Sequence, residues 1–131
     1  MPMVRKFSDT KIQWGEGGSR EDVIFRLGDT YLLCAEAYLG AGNKKLALER
    51  INSIRKRAAK DATAYEAMKL TDLDINVIMD ERARELMGEH DRWFDLKRTQ
   101  TLLTRVPAYN PFVVKYDNLN KNHLVRPNSA R

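Results

Sequence analysis

The apolar positions of this chain predict a helical middle between irregular ends. From about Asp22 to Ala41, apolar side chains recur every three or four residues, which is the period of an α-helix. This helix is apolar on nearly every side, so we expect it to be central and buried. Gly42 and Asn43 follow it and favour a left-handed cap. The apolar stripe consists of Ile24, Leu27, Tyr31, Leu32, Ala35, Tyr38 and Leu39.

A second helix is predicted from about Lys44 to Lys60. The turn before it is only two or three residues long, which makes the two helices antiparallel neighbours. Residues 61–70 show no clear period, and we interpret them as a loop with some helical character. The stripe of the second helix is formed by Ala47, Leu48, Ile51, Ile54 and Ala58.

A third helix is predicted to begin at Thr71 or Asp72, because either side chain can accept hydrogen bonds from the first backbone N–H groups of a helix. Gly88 should bend or break this helix. A further short helix is expected from about Asp91 to Leu103, before Pro107 and Pro111 stop regular structure. The third stripe contains Ile75, Ile78, Met79, Arg82, Leu86 and, beyond the glycine, Trp93.

These elements predict an all-α fold in a single domain over residues 1–131, a length sufficient to bury roughly two thirds of the unfolded surface. Residues 1–20 form a glycine-containing lead-in and residues 21–105 a helical core. Residues 106–131 form an irregular tail rich in Asn and Pro. The expected architecture is therefore antiparallel helix pairs between irregular terminal segments.

Charged residues inside the apolar stripes need partners. Asp29 and Glu36 lie two turns apart on one face of the first helix, and Arg82 lies in the third stripe. We expect Arg82 to donate to these carboxylates, with Arg26 or Arg55 as further donors, since an unpaired buried charge is strongly destabilising. The alternative is a catalytic carboxylate pair of the glycosidase type, for which the helical spacing of roughly 10.5 Å is slightly long. We favour structural ion pairs.

The charged segment that runs from Glu81 to Arg98 offers further pairs. Asp80 with Arg84, and Arg82 with Glu85, have the spacing of helix-surface pairs. Asp95 stands three residues from arginines on either side and can bridge them. The predicted ion-pair network comprises Asp29, Glu36, Arg82, Glu85, Arg92, Asp95 and Arg98.

Two groups of aromatic residues suggest different roles. We interpret Trp93 and Phe94 as core anchors rather than a sugar platform, because Trp93 continues the apolar stripe. Trp14 stands in a glycine-rich loop and is a weak candidate for ligand binding, since an exposed ring can stack on a sugar or a base. A local core under that loop is the favoured interpretation.

The charge distribution of the chain argues against a nucleic-acid partner. The net charge is +5, but 23 basic and 18 acidic residues are interleaved, so no nucleic-acid partner is expected. A nucleic-acid site on residues 44–60 is a third hypothesis, and it is weakened because that helix also carries Glu49.

His90 and His123 lack zinc-ligand spacing, so no metal or cofactor is predicted. Cys34 is interpreted as core filler. No apolar run approaches the roughly 20 residues of a membrane span, and no signal peptide is recognisable.

Three motifs stand in a fixed order along the chain: "FRLGDTYLLCAEAYLGAGN", "ALERINSIRKRA" and "ERARELMGEHDRWFDLKR". Together they resemble the C-terminal region of the SusD/RagB family, and the resemblance covers most of residues 5–105. The matching residues are Arg26, Asp29, Leu32, Ala35, Glu36, Ala37; Ile51, Asn52, Arg55, Arg57, Ala58; and Glu81, Arg82, Glu85, Glu89, Arg92, Trp93, Asp95, Leu96, Arg98.

The resemblance implies tetratricopeptide-like helix pairs and a non-enzymatic function. Members of the family are surface lipoproteins of bacterial outer membranes that bind glycans or other nutrients. They cap a SusC-like TonB-dependent transporter, which imports the ligand. The chain is thus expected to be a C-terminal scaffold of such a nutrient-binding protein at the cell outer membrane. Ligand-contacting residues vary within the family, so none is carried over to this sequence.

An alternative function is a tetratricopeptide-like protein-protein interaction module, which would hold a partner in a groove between helix pairs. Self-association is a further expectation. Helices that bury their stripes against segments outside this chain would expose apolar surface. We therefore predict that the isolated chain dimerises or is only marginally stable.

Overall fold

The computed structural model describes residues 24–89 and 91–112, and all the regular structure in these ranges is helical. The chain divides into two compact units, Met1–His90 and Asp91–Arg131. The prediction of an all-α fold is confirmed. The helices are α1 (Leu27–Gly40), α2 (Lys44–Ala58), α3 (Ala62–Met68) and α4 (Ile75–Glu85) in the first unit, and α5 (Arg92–Arg98) and α6 (Leu102–Tyr109) in the second.

The turn between α1 and α2 has the left-handed cap that its glycine predicted. Gly42 adopts a φ of +77°, which a residue without a Cβ tolerates easily. Its N–H donates to the Leu39 carbonyl at 3.0 Å, and the N–H of Asn43 donates to the Tyr38 carbonyl at 2.8 Å. These two bonds form a Schellman motif. The Asn43 side chain then caps α2 by accepting from the N–H of Leu46 at 3.2 Å.

The core of the first unit lies where α1 packs against α2 and α4. Helix α1 is therefore central in this unit, as its nearly all-apolar sequence predicted. Full burial of one leucine or isoleucine side chain contributes about 1.5–3 kcal/mol. Ala58 was expected in this core, but it is exposed because α2 ends at that residue. The buried apolar residues are Leu32, Ala35, Ala47, Ile51, Ile54, Leu73, Ile78, Met79 and Leu86.

Helix α1 begins later than its apolar pattern predicted. Arg26 has extended backbone angles, φ −144° and ψ 163°, and the helix starts at the next residue. The helical period therefore does not apply to Ile24 and Phe25, which are both 79% exposed. Leu27, in the first turn, is 69% exposed. The prediction that Ile24 and Leu27 belong to the buried stripe was wrong.

A short helix occupies the stretch that the sequence left ambiguous. Asp61 caps α3 by accepting a hydrogen bond from the N–H of Ala64 at 2.8 Å. The connection from α3 to α4 is held by Asn52 of α2, a buried side chain. Its amide donates to the Leu70 carbonyl and accepts from the Leu70 N–H, both at 2.9 Å. Two bonds to one backbone residue fix this connection against α2.

The cap of α4 is Asp74, so the prediction of Thr71 or Asp72 was wrong. The Asp74 carboxylate accepts from the N–H of Val77 at 2.9 Å, and this bond lowers the pKa of Asp74 below its usual value. Asp72 instead pairs with Lys44 at the start of α2, which lowers the pKa of that carboxyl as well. Leu73, between the two aspartates, is buried, and the helix begins at Ile75.

Gly88 follows the end of α4 as predicted, while of Pro107 and Pro111 only Pro111 follows the end of a helix, α6. Gly88 has a φ of +85° just beyond the C-terminus of α4. Gln100, with a φ of +57°, separates α5 from α6. Pro107 lies inside α6 near its C-terminal end, so the prediction that it stops regular structure was wrong. Its ring removes one N–H from the end of a short helix, which leaves the preceding turns intact.

Trp93 and Phe94 are not buried in the described structure. Trp93 is 45% exposed and Phe94 is 70% exposed, so the prediction that they anchor a core was wrong. Gly88 interrupts the helical phase, and the stripe of α4 therefore does not continue into α5. The buried residues of α5 are Asp95 and Leu96. None of the helices within the described ranges is long and apolar enough to cross a membrane.

Candidate functional site

The charged residues of α4 fasten three helices of the first unit to one another. Arg82 is buried on the side that faces α1, and its Nη1 atom lies 2.8 Å from Oδ1 of Asp29. Only 3% of the Arg82 side chain and 8% of the Asp29 side chain are exposed. Neither atom has a hydrogen-bond partner of good geometry, so this contact is held by charge. Its strength comes from the low polarity of its surroundings.

Asp29 is poorly placed for catalysis. Its carboxylate is buried and held by a guanidinium, which leaves no access for a sugar or a water nucleophile. Glu36, its predicted companion, lies half-buried on α1. Within the described residues, no group of three or more His, Cys, Asp or Glu side chains is arranged to hold a metal ion.

A second contact joins α2, α3 and α4. The Arg55 guanidinium lies 2.6 Å from Oε2 of Glu81 through Nη2, and its Nε donates to the same oxygen at 3.1 Å. Its Nη1 atom donates to the carbonyl of Met68 at the end of α3 at 2.6 Å. Arg84 reaches Glu81 from the solvent side at 2.5 Å. The predicted pairing of Arg84 with Asp80 stays a prediction.

A third contact, which we call the Arg26 cluster, comprises Arg26, Arg57, Glu85 and Glu89. Nη1 of Arg26 lies 2.5 Å from Oε1 of Glu85, and its Nε lies 2.9 Å from Oε1 of Glu89. Arg26 also donates to the backbone carbonyl of Glu85 at 2.6 Å. Arg57 of α2 approaches the same Glu85 oxygen at 2.6 Å. The hydrogen bond with Glu89 is the main cause that raises the pKa of Arg26.

Gly28 leaves room for the Arg26 cluster. A Cβ at this position would overlap Nη1 of Arg26 and come within 2.9 Å of Oε1 of Glu85. Both side chains lie directly over the backbone of the first turn of α1. A glycine in a helix is normally unfavourable, so this one is explained by the close approach of two paired charges.

The structure brings together part of the predicted network. Arg82 lies against Asp29, whereas Arg26 and Arg55 bind glutamates of α4 rather than the carboxylates of α1. In the second unit, Nη2 of Arg98 lies 3.1 Å from Oδ1 of Asp95, and Arg92 is half-buried. Trp14 and the two histidines lie outside the described residues.

Sequence reasoning missed the role of Glu81. This residue lies next to the Arg82 stripe and was given no partner from the sequence, yet it is only 7% exposed. A signal was available, because Arg55 stands one residue after the apolar pair Ile51 and Ile54 and must border the core. Arg55 and the neighbouring Arg57 require acidic partners near the edge of the core. Glu81 and Glu85 are one turn apart on α4 and can provide them.

Grooves open between helices in the described part of the first unit, and two of them are large enough to hold a ligand. One, of about 370 Å³, lies between the start of α1 and the end of α2 and is lined by Leu27, Tyr31 and Ile54, with Arg26 and Arg57 at its edge. The other, of about 410 Å³, lies between α2 and α3. Both volumes fall within the range of small-ligand sites.

Comparison with known proteins identifies the family of the chain. The family model of the SusD family matches residues 1–131. SusD-like protein P25 of Formosa agariphila is 38% identical over 82 residues, which are 62% of this chain and 16% of that protein. SusD-like protein P38 of the same organism is 35% identical over 83 residues, 59% of this chain and 16% of that protein. No solved structure gives a significant match. The chain therefore spans about a sixth of these relatives' length, and it belongs to the SusD family.

Proposed function

We propose that this chain forms part of the helical scaffold of a nutrient-binding protein in an outer-membrane uptake system of the SusC/SusD type. The SusD family is a family of binding proteins, and the family model matches the whole chain. The protein has a non-enzymatic role. It acts at the cell surface as a lipoprotein, captures a glycan or another nutrient, and passes it to a SusC-like TonB-dependent transporter.

The observation that carries this proposal is the role of the motif residues. The three motifs of the resemblance fall on α1, α2 and α4 and the residues that follow α4. Their arginines and acids form the contacts between those helices, through Arg82 with Asp29, Arg55 with Glu81, and the Arg26 cluster. In the described residues, the motifs thus specify how the helices are joined.

Co-purification tests the uptake assignment. The full-length gene product, tagged and expressed in its native host, should localise to outer-membrane fractions and carry with it a large TonB-dependent transporter. A glycan array with the same product should give binding to at least one oligosaccharide class. A product that binds no saccharide and brings down no transporter would exclude the uptake function.

A protein-protein interaction module is the second candidate. It is favoured by the exposed apolar residues Ile24, Phe25 and Leu27, the last of which also lines the 370 Å³ groove. The co-purification experiment separates the candidates. A stable complex with a protein other than a transporter, lost in a Phe25→Ser variant, would favour the interaction module.

A further inference from the structure

The groove between α2 and α3 carries positive charges that the described acidic residues do not neutralise. Lys45 and Lys56 line opposite ends of the groove, and both are exposed. No carboxylate of the described residues pairs with either, whereas neighbouring Lys44, Arg55 and Arg57 all have acidic partners. With respect to the described residues, these two lysines are therefore available to an external anion.

The spacing of the two lysines selects an extended ligand. They are eleven positions apart on α2, and the intervening Glu49 and Asn52 follow the same side of the helix. With a rise of 1.5 Å per residue, their backbones lie about 16 Å apart. A single small anion would contact both only if the two side chains leaned toward each other along the helix. A chain with repeated acidic groups can contact both without that movement.

The opposite wall of the groove comes from α3 and its C-terminal cap. Tyr65 is half-buried and lines the groove. The ammonium of Lys69 lies 5.8 Å from the centre of that ring and 3.6 Å from Glu66. Both contacts of Lys69 are solvent-exposed and weak. A third cation and a flat ring with a hydroxyl tip thus face the two lysines of α2.

The groove also contains acceptors for hydroxyl groups. Glu49 presents an exposed carboxylate, and Ser53 donates its own proton to the Glu49 carbonyl at 2.8 Å. The Ser53 oxygen therefore keeps acceptor capacity toward a ligand. Asn52 is held by its two bonds to Leu70, which makes the floor rigid. Hydroxyl acceptors, an aromatic ring and separated cations match an acidic sugar better than a polyphosphate, which has no hydroxyl groups along its chain to donate to Glu49 and Ser53.

We propose that the groove between α2 and α3 binds an oligosaccharide that carries carboxylate or sulfate groups. Lys45 and Lys56 bind two acidic groups along the saccharide, while Glu49 and Ser53 accept hydrogen bonds from its hydroxyl groups. Tyr65 packs against a sugar ring. The inference deepens the proposed function, since it names a class of nutrient, and it rests on that function for its biological role.

Affinity electrophoresis of the full-length gene product tests this proposal. The gels contain polygalacturonate, dextran sulfate or neutral dextran at physiological salt. We expect retardation by polygalacturonate, by dextran sulfate or by both, and none by dextran. The two polyanions distinguish a carboxylate site from a sulfate site. Single-stranded DNA serves as a competitor that should not displace the saccharide.

The variants separate the groove from general charge attraction. The Lys45→Gln/Lys56→Gln double variant should weaken binding about tenfold, the effect of two partly exposed charge contacts. Lys60→Gln/Lys97→Gln removes the same formal charge outside the groove and should bind like the unmodified protein. All four lysines are exposed, so thermal melting should be unchanged in both variants.

Several results would overturn the proposal. These are no retardation in either polyanion, equal retardation by dextran, equal losses in the two double variants, or displacement by DNA. A protein that co-purifies with its transporter and binds only neutral glycans would refute this site while leaving the uptake function intact. A protein that binds acidic saccharides but does not co-purify with a transporter would refute the uptake function and leave this site intact.

Discussion

The buried Arg82 side chain shows how one residue can report on a fold. A cation inside an apolar stripe is tolerated only where an acid meets it, and Asp29 on α1 provides that acid at 2.8 Å. The pair therefore specifies which face of α1 lies against α4. Its contribution is better described as specificity than as net stability, because both ions lost their hydration when they were buried.

Replacement of Arg82 by Met tests this pair. The side-chain volume is roughly kept while the Asp29 carboxylate loses its cation, so the free energy of unfolding should fall by about 3–5 kcal/mol. Arg84→Met is the matched control. That arginine is 57% exposed beside Glu81, and its loss should cost less than about 1 kcal/mol. Equal denaturation midpoints for the two variants would refute the buried pairing.

Gly28 gives a second prediction at the residue scale. Alanine normally stabilises a helix relative to glycine by about 0.5–1 kcal/mol, and Gly40→Ala should show this gain because its Cβ would meet nothing within 4 Å. Gly28→Ala should not give this gain in stability, since the new Cβ displaces Arg26 from Glu85. Urea denaturation of both variants measures the difference. If the two substitutions are equally stabilising, the close approach of the Arg26 cluster is not what requires a glycine.

At the scale of the element, capping decides where the helices begin. Sequence periodicity located α1, α2 and α4 of the first unit to within about five residues, but the cap of α4 is Asp74, which follows the buried Leu73. Likewise α1 starts only after Arg26, whose side chain is bound at the end of α4. Periodicity describes the face of a helix, whereas tertiary contacts decide which residues adopt helical angles.

Asp74→Ala tests the α4 cap and its pH dependence. Loss of the bond to the Val77 N–H should cost about 1 kcal/mol at pH 7. The folded pKa of Asp74 lies below its usual value, so the charged cap's contribution is complete above about pH 4 and is lost as pH falls through the folded pKa. The difference in the free energy of unfolding between the unmodified protein and Asp74→Ala should therefore become smaller at acidic pH.

Asp74→Asn is the control for that titration. Asparagine caps helices without a charge, so this variant should stay close to the unmodified protein at pH 7. The difference between Asn and Ala at this position should be independent of pH. Guanidinium chloride denaturation at several pH values gives both comparisons, and a constant gap between the aspartate and alanine proteins would contradict a charged cap.

At the scale of the whole chain, the exposed apolar residues are the main feature. Phe25, Leu27, Phe94 and Tyr109 are all more than two thirds exposed, although a stable monomer rarely exposes so many large apolar side chains. The chain matches only 16% of its relatives' length. Such side chains suit surfaces that another part of a larger protein, or a second copy, would cover.

The isolated chain should consequently associate or melt early. We predict a dimer by light scattering at micromolar concentration, or a melting temperature below about 50 °C. A Phe25→Ser/Leu27→Ser variant should reduce association without loss of helicity, because neither side chain belongs to the core. A monodisperse monomer with a sharp transition well above that temperature would contradict the prediction.

The sequence by itself determined the three longer helices of the first unit, the antiparallel turn at Gly42, the presence of a partner for Arg82 and the family. Each of these depends on local spacing or on a motif carried by neighbouring residues. Only the tertiary structure decided that Arg55 binds Glu81, that Arg26 binds Glu85 and Glu89, and that Lys45 and Lys56 line one groove. The physical reason is that an arginine reaches several acids of similar spacing, and only the packing angle of its helix selects among them.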